Sequence, residues 1–196
     1  MQQKMIRIFQ LRNFVLPAIL FFFITACQTR EPESQKASAK AAPNLFFDLK
    51  GYMAQQVAAL KVSKPRVNKQ ISINGKSETQ ISENINFEEE LGVFINADIN
   101  KPAWSDKYSR DSSFSGGQLQ YVRYLAKDEK MKTQMLQVTF SGGTVSKIEL
   151  KNQTSAAIVS AEEEMIYTPG KGYSILHKEI PVLGEAKNFL VEATFE

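Results

Sequence analysis

Cysteine and histidine, the residue types that most often act as nucleophile, proton relay or zinc ligand, each occur once in this chain, as Cys27 and His177. A nucleophile–histidine site needs both groups close together, and a zinc site usually needs three or four ligands. The sequence therefore predicts no catalytic residue, no metal and no cofactor, and we expect a protein that is not an enzyme. His177 lies in a predicted strand, where we interpret it as a structural or surface residue. Carboxylate pairs brought together by folding, as in glycosidases, stay open at this level.

The residues before Cys27 indicate a different chemistry for its thiol. The first 12 residues carry three basic side chains and no acidic one, and residues 14–26 form an apolar run broken only by Thr25. A helix that crosses a bilayer needs about 20 apolar residues, so this run is too short to span it. A charged start, an apolar run and small residues before a cleavage point are the layout of a secretory signal. We therefore predict that residues 1–26 are a signal peptide.

The end of this signal, Ile24-Thr25-Ala26-Cys27, resembles the lipobox of bacterial lipoproteins: a branched apolar residue, two small residues, then the cysteine. The resemblance implies that the sulfur of Cys27 receives a diacylglyceryl group. It also implies that the signal is cut before Cys27, with Ile24, Thr25 and Ala26 as the cleavage motif, and that the new amino terminus is acylated. The alternatives are an ordinary buried cysteine or a membrane-spanning anchor ending near Cys27, which the length and flanks disfavour.

The same resemblance carries an expectation about location. In enterobacterial lipoproteins an aspartate after the lipidated cysteine retains the protein in the inner membrane, and here that position is Gln28. We therefore expect a lipid-anchored protein of the bacterial cell envelope, on the outer membrane and facing the periplasm. Its first partner is the membrane, because two or three acyl chains hold a protein far more stably than one chain does.

Charge argues against nucleic acid as a partner. The whole chain has 24 basic and 21 acidic residues, and three of the basic residues lie in the signal. The mature chain therefore has 21 of each and a formal net charge of zero. A basic surface is the first requirement for nucleic-acid binding, so we predict no nucleic-acid partner.

Composition divides the mature chain into two parts. Residues 28–44 are small and polar, with two prolines and no large apolar side chain, which is typical of a flexible tether. The predicted organisation is a signal at 1–26, a lipidated tether at 27–44 and a single domain at 45–196. A domain of that length can bury a full hydrophobic core without disulfides.

Two helices are predicted near the start of this domain. Apolar residues recur at helical spacing through residues 45–60, with Asn44 as the N-cap. A second helix begins after Asn86, with Glu89 placed to form a capping box. Residues 101–117 are predicted to be a loop.

The rest of the domain is predicted to be strands. Residues 66–83 read as one hairpin, and alternation of apolar and polar residues from Gln118 onward indicates further antiparallel strands. Parity of the apolar positions favours three-residue loops that end at Gly75 and Gly143, both at positive φ. The pairs that such loops would place on one buried face are Val67 with Ile81 and Leu136 with Ile148.

An early helix followed by many strands is similar, in element order only, to the half-barrel of the periplasmic lipoprotein carrier and its outer-membrane receptor. The expected fold is therefore α+β, a curved antiparallel sheet of about seven strands with two helices packed on its concave face. Two functions are open at this stage. One is a non-enzymatic interaction or structural role with an envelope protein partner. The other is binding or carriage of a lipid or other apolar ligand in a cavity between sheet and helices.

Overall fold

The computed structural model describes residues 45–196. The predicted signal, its motif at Ile24, Thr25 and Ala26, the lipidation site Cys27 and the tether all lie outside the described residues. The helices are α1 (Leu49–Ser63), α2 (Phe87–Glu90) and α3 (Gly92–Asn96), with a 3-10 turn at Pro102–Trp104. The strands are β1 (Val67–Ile73), β2 (Lys76–Ser82), β3 (Tyr108–Ser115), β4 (Gln118–Ala126), β5 (Thr133–Ser141), β6 (Thr144–Ser155), β7 (Val159–Thr168), β8 (Gly172–Pro181) and β9 (Lys187–Phe195).

The nine strands form one open sheet in the order β2-β1-β9-β8-β7-β6-β5-β4-β3, and neighbouring strands are antiparallel. The α+β prediction with an antiparallel sheet is confirmed, but the count of about seven strands is wrong. Part of the difference is β3, which lies in the segment predicted to be a loop. It is an edge strand whose side chains are mostly exposed on both faces, so it lacks the apolar alternation that a buried face imposes.

The antiparallel arrangement places the connections at two opposite ends of the sheet. At one end, called the base, lie the β1–β2 turn and the loops 127–132, 156–158 and 182–186. At the other end, called the top, lie the tight turns of the β3–β4 and β5–β6 hairpins and the β7–β8 turn. The first described residues also lie at the base, because the ring of Phe46 packs edge-on against Tyr108 and Tyr124, where β3 starts and β4 ends.

Helix α1 begins four residues later than predicted. Its N-cap is Asp48, whose carboxylate accepts the backbone N–H of Gly51 at 2.9 Å, so the predicted cap at Asn44 is wrong. Side chains at helical spacing (Leu49, Met53, Val57 and Leu60) are buried against the sheet. The helix ends at Lys64, which adopts the left-handed conformation and donates its N–H to the carbonyl of Leu60. This is a common way to satisfy a last-turn carbonyl.

The second predicted helix is present but divided. Asn86 caps it as predicted, accepting the N–H of Glu88 at 3.2 Å. At Leu91 the backbone leaves the helical region, with φ −94° and ψ 1°, and α3 starts at Gly92. Glycine inside a helix costs about 1 kcal/mol relative to alanine. The sequence pattern predicted one continuous helix and did not show the break beside this glycine. Leu91 and Phe94, on either side of the glycine, are both buried.

The core lies between the helices and one face of the sheet, here called the inner face. Side chains at its centre have no exposed surface, including Leu136, Val138, Ile148 and Met165. The opposite, outer face carries exposed ion pairs such as Lys151 with Glu164 at 2.7 Å. The central part of the inner face is thus filled by protein side chains.

The predicted glycine conformations are confirmed, but the predicted loop lengths are wrong. Gly75 and Gly143 have φ of +83° and +78°. Each is the second residue of a two-residue turn, since Ile73 pairs with Lys76 and Ser141 pairs with Thr144. Two consecutive residues at positive φ are the signature of the type I′ turn, whose twist suits a hairpin.

Parity is handled differently in the two hairpins. Between β5 and β6 a bulge at Ser146 adds one residue, so Leu136 pairs with Leu150 and Val138 with Ile148, all on the inner face. The β1–β2 hairpin has no bulge, and Ile81 faces Asn68 on the outer face. A three-residue loop was predicted to shift the register by one residue in both hairpins. In the β5–β6 hairpin the bulge makes that shift, and in the β1–β2 hairpin no shift occurs.

The β3–β4 hairpin repeats this solution. Its turn has the same four residues, Phe-Ser-Gly-Gly, at 114–117 as the β5–β6 turn has at 140–143. Both have two glycines at positive φ and an extra residue in the following strand, Gln120 in one and Ser146 in the other. This short repeat sets the same turn geometry twice.

Candidate functional site

The helices and the segment before α1 cover the inner face along a diagonal. At the base Phe46, three residues before α1, packs against Tyr108 of β3 and Tyr124 of β4. At the top Phe87 of α2 packs edge-on against Phe195 of β9. The base half of β1, β8 and β9 is left partly uncovered. We call this region the open floor; its residues are Ile71, Ile73, Ile175, Phe189 and Val191.

Register places these five side chains side by side. Ile71 pairs with Val191, Ile73 with Phe189, and Val191 in turn with Ile175. Ile71 and Ile73 are 38% and 48% exposed, while the other three are half-buried. A patch of adjacent apolar side chains is more informative than apolar residues scattered singly over a surface.

The open floor continues into a groove at the edge of the sheet. The groove has a volume of about 540 Å³ and is lined by Ile71, Ile73, Asn74, Lys76, Ser77 and Glu78. Its apolar wall comes from β1 and its charged rim from β2, the edge strand. The groove therefore offers apolar contact with one positive and one negative group at its margin.

A polar cluster adjoins the other side of the open floor. His177 pairs with Phe189 of the floor on one side and with Glu163 on the other. Its Nδ1 lies 3.8 Å from a carboxylate oxygen of Glu163, and its Nε2 lies 3.7 Å from one of Glu179. The buried amide of Asn152 donates a hydrogen bond to Glu163 at 2.9 Å. These groups, apart from Glu179 and Phe189, line a small cavity of about 120 Å³.

This cluster lacks the geometry of nucleophilic catalysis. Separations of 3.7 and 3.8 Å exceed hydrogen-bonding distance, so neither carboxylate orients the imidazole as a third catalytic group would. Among residues 45–196, no group of three His, Cys, Asp or Glu side chains is arranged to hold a metal ion. His177 lies in a strand as predicted. Its proximity to Glu163 was missed because it depends on the pairing of β7 with β8.

A second buried polar group ties the short helices to the sheet. The hydroxyl of Tyr173 donates to one carboxylate oxygen of Glu90, and Lys69 contacts the other at 2.5 Å. Burial, and then the hydrogen bond to Glu90, raise the pKa of Tyr173. A phenol held neutral in this way donates a hydrogen bond but does not act as a base near neutral pH. The trio thus fixes α2 over β1 and β8.

The base of the sheet also carries an exposed apolar surface. Ile158, in the loop after β6, is 76% exposed, and Val182 and Leu183, in the loop after β8, are 71% and 89% exposed. The N–H of Val182 donates to the carbonyl of Ile158 at 3.0 Å, so the two loops are joined. We call these three residues the apolar knuckle. It has no sequence signature, because loop residues follow neither helical nor strand periodicity.

None of the helices in the described part of the chain has the length and apolar character required to cross a membrane. Comparisons with protein-family models, with curated proteins and with solved structures find no match to this chain.

Proposed function

We propose that this protein is a lipid-anchored, non-enzymatic binding protein of the bacterial envelope, and that its open floor binds a segment of a partner protein. In this proposal Cys27 carries the acyl chains, residues 28–44 tether the domain, and the protein sits on the outer membrane facing the periplasm. The resemblance of residues 24–27 to a lipobox supports the anchor.

The observation that carries the binding role is the contrast between two parts of the inner face. Its centre is filled, with Leu136, Ile148 and Met165 fully buried, whereas Ile71 and Ile73 expose apolar surface in a groove. A partner that covers these side chains would gain about 25 cal/mol of binding free energy for each Å² of apolar surface removed from water.

The openness of this region favours a protein partner over a small molecule. Sites for small ligands bury about 70–90% of the ligand surface, which needs walls on several sides. The open floor is bounded on one side by β2, which has a neighbour on only one edge. Its free edge presents unpaired backbone groups that an extended segment can pair with, while apolar side chains of that segment contact the groove.

A second candidate function is binding of a lipid or other apolar ligand. The groove volume of about 540 Å³ lies within the roughly 300–1,000 Å³ range of ligand pockets. A sheet curved as a half-barrel, as the element order implied, would deepen the groove and favour this candidate. The site would then lie beside the helices, not between helices and sheet as the sequence analysis expected.

A photoreactive amino acid at position 73 distinguishes the two candidates in intact cells. Ile81 provides a matched control position, because it is 54% exposed, close to the 48% of Ile73, but faces the opposite side of the sheet. A protein adduct formed from position 73 and not from position 81 would support the binding proposal. A lipid adduct formed from position 73 but not from position 183 in the apolar knuckle would select the second candidate, because contact of the base with the bilayer would label both positions. Equal labelling at the two positions would contradict both.

The anchor has a separate test. Cys27→Ala should abolish labelling by an alkyne analogue of palmitate and release the protein from membranes or leave it as the uncut precursor. Labelling that persists in this variant would exclude Cys27 as the lipidated residue.

A further inference from the structure

We propose that the apolar knuckle, formed by Ile158, Val182 and Leu183, inserts into the surface of the bilayer that holds the lipid anchor. This inference rests on the proposed lipidation of Cys27. It adds a second membrane contact and sets the orientation of the domain, with the base of the sheet toward the lipid and the top away from it.

The knuckle is unusually exposed for apolar side chains. Leu183 is 89% exposed, the highest value for a large apolar side chain in residues 45–196, and its neighbour Val182 is 71% exposed. Single apolar residues are normal on a soluble surface, but clustered ones mark contact with another molecule. The hydrogen bond between Val182 and Ile158 keeps the two loops together as one projection.

The chain enters the domain at the end of the sheet that carries the knuckle. Phe46 packs on Tyr108 and Tyr124 at the base, so the tether begins at the same end of the sheet as the knuckle. Neighbouring strands are about 4.8 Å apart. Between two and four strand spacings, roughly 10–20 Å, therefore separate β4, where the tether starts, from the loops after β6 and β8.

The length of the tether permits this contact. A segment of 17 residues, the length of 28–44, can reach at most about 60 Å. A domain tethered by one end presents that end to the membrane more often than the opposite end. The knuckle would therefore meet the lipid surface at a high effective concentration, which makes a weak insertion productive.

The base of the sheet also carries positive charge close to the knuckle. The loop 127–132, between the tether attachment and the knuckle, carries Lys127, Lys130 and Lys132 against Asp128 and Glu129. Amino groups at this level would face phosphate groups of the lipid surface while the knuckle side chains enter below them. Apolar side chains flanked by lysine are the usual composition of an interfacial membrane contact.

The experiment places one fluorescent label at the knuckle of the lipidated protein. In the proposed mature chain Cys27 is consumed by lipidation and no other cysteine is present, so a cysteine introduced by Leu183→Cys is the only thiol that reacts. The control is Thr144→Cys, an exposed position at the start of β6, next to the β5–β6 turn at the top. Both proteins carry an NBD label and are reconstituted into phosphatidylethanolamine–phosphatidylglycerol vesicles that contain a nitroxide-labelled phospholipid.

Insertion predicts that the label at position 183 is quenched by the nitroxide several-fold more strongly than the label at position 144, with emission shifted to the blue. Equal quenching at the two positions in vesicle-bound protein would overturn the knuckle proposal. The anchor proposal would stand, because the lipidated protein would still be bound to vesicles that contain no protein partner. If the purified protein does not associate with vesicles at all, the proposed lipid anchor is refuted, and with it the proposed function. Position 183 is almost fully exposed, so its substitution should not disturb folding.

Discussion

Replacing Gly172 by alanine should be the most damaging small substitution in the sheet. Gly172 opens β8 with φ of +145°, and a Cβ atom there would lie 1.9 Å from the backbone oxygen of Ala193 in β9. Gly143 makes a matched control, since its φ of +78° is also positive but a Cβ there would meet no atom within 4 Å. The pair separates the cost of backbone conformation from the cost of a collision between strands.

The expected magnitudes follow from these geometries. Gly143→Ala should lower the free energy of unfolding by about 1–2 kcal/mol, the cost of a Cβ in the left-handed region. Gly172→Ala adds a collision, because ordinary contact begins near 3.4 Å and the strands must therefore separate by roughly 1.5 Å. That separation removes one or two backbone hydrogen bonds worth about 1 kcal/mol each, besides strain of about 1–3 kcal/mol at the glycine itself. The total is about 2–5 kcal/mol, a large share of the roughly 5–15 kcal/mol that stabilises a typical domain.

Urea unfolding followed by circular dichroism measures both variants on the same scale. The midpoint of Gly172→Ala should fall well below that of Gly143→Ala, with both transitions still cooperative. A loss for Gly172→Ala no larger than the Gly143→Ala loss would refute the close approach of β8 to β9. The register that pairs Tyr173 with Ala193 would then need revision.

Two further predictions concern the start of helix α1 and the buried side chain of Tyr108. Alanine usually favours a helix over glycine, but a Cβ at position 51 would lie 2.3 Å from the carboxylate of Asp48. We therefore expect Gly51→Ala to lower the free energy of unfolding by about 0.5–2 kcal/mol as the cap is displaced. If urea unfolding shows no further loss when Gly51→Ala is added to Asp48→Ala, the lost cap is the cause. Burial raises the pKa of Tyr108 to about 12, above the ordinary value near 10. The unfolded chain therefore loses this proton first, and stability that is complete below pH 10 falls as pH rises toward 12, by up to about 1.4 kcal/mol per pH unit. Tyr108→Phe should have a shallower loss of stability over that range than the unaltered protein, and an equal slope would contradict the burial argument.

Much of the fold was predictable because its signals are local. The first helix, the cap at Asn86 and most of the strands follow from periodicity and capping within a few residues. The glycine turns follow from the freedom of glycine at positive φ. Strand β3 escaped prediction because an edge strand with both faces in water needs no apolar alternation.

The candidate site was less predictable, since each of its properties depends on parts of the chain far apart in sequence. The apolar nature of Ile71 and Ile73 is written in the sequence, but their exposure results from the diagonal course of the helices, which leaves the base half of the inner face uncovered. His177 meets Glu163 only through the pairing of β7 with β8. The knuckle exists because two loops distant in sequence end at the same side of one sheet.

The sequence by itself led to the proposed membrane location of this protein, through the residues around Cys27. It also determined which segments of the domain form helices and which form most of the strands. Such properties belong to contiguous segments, whose free energies depend on neighbours along the chain. The tertiary structure alone decided register, the bulges at Gln120 and Ser146, and which apolar side chains stay in water. These depend on which distant segments pack together, because burial is shared between surfaces and no single segment specifies its partner.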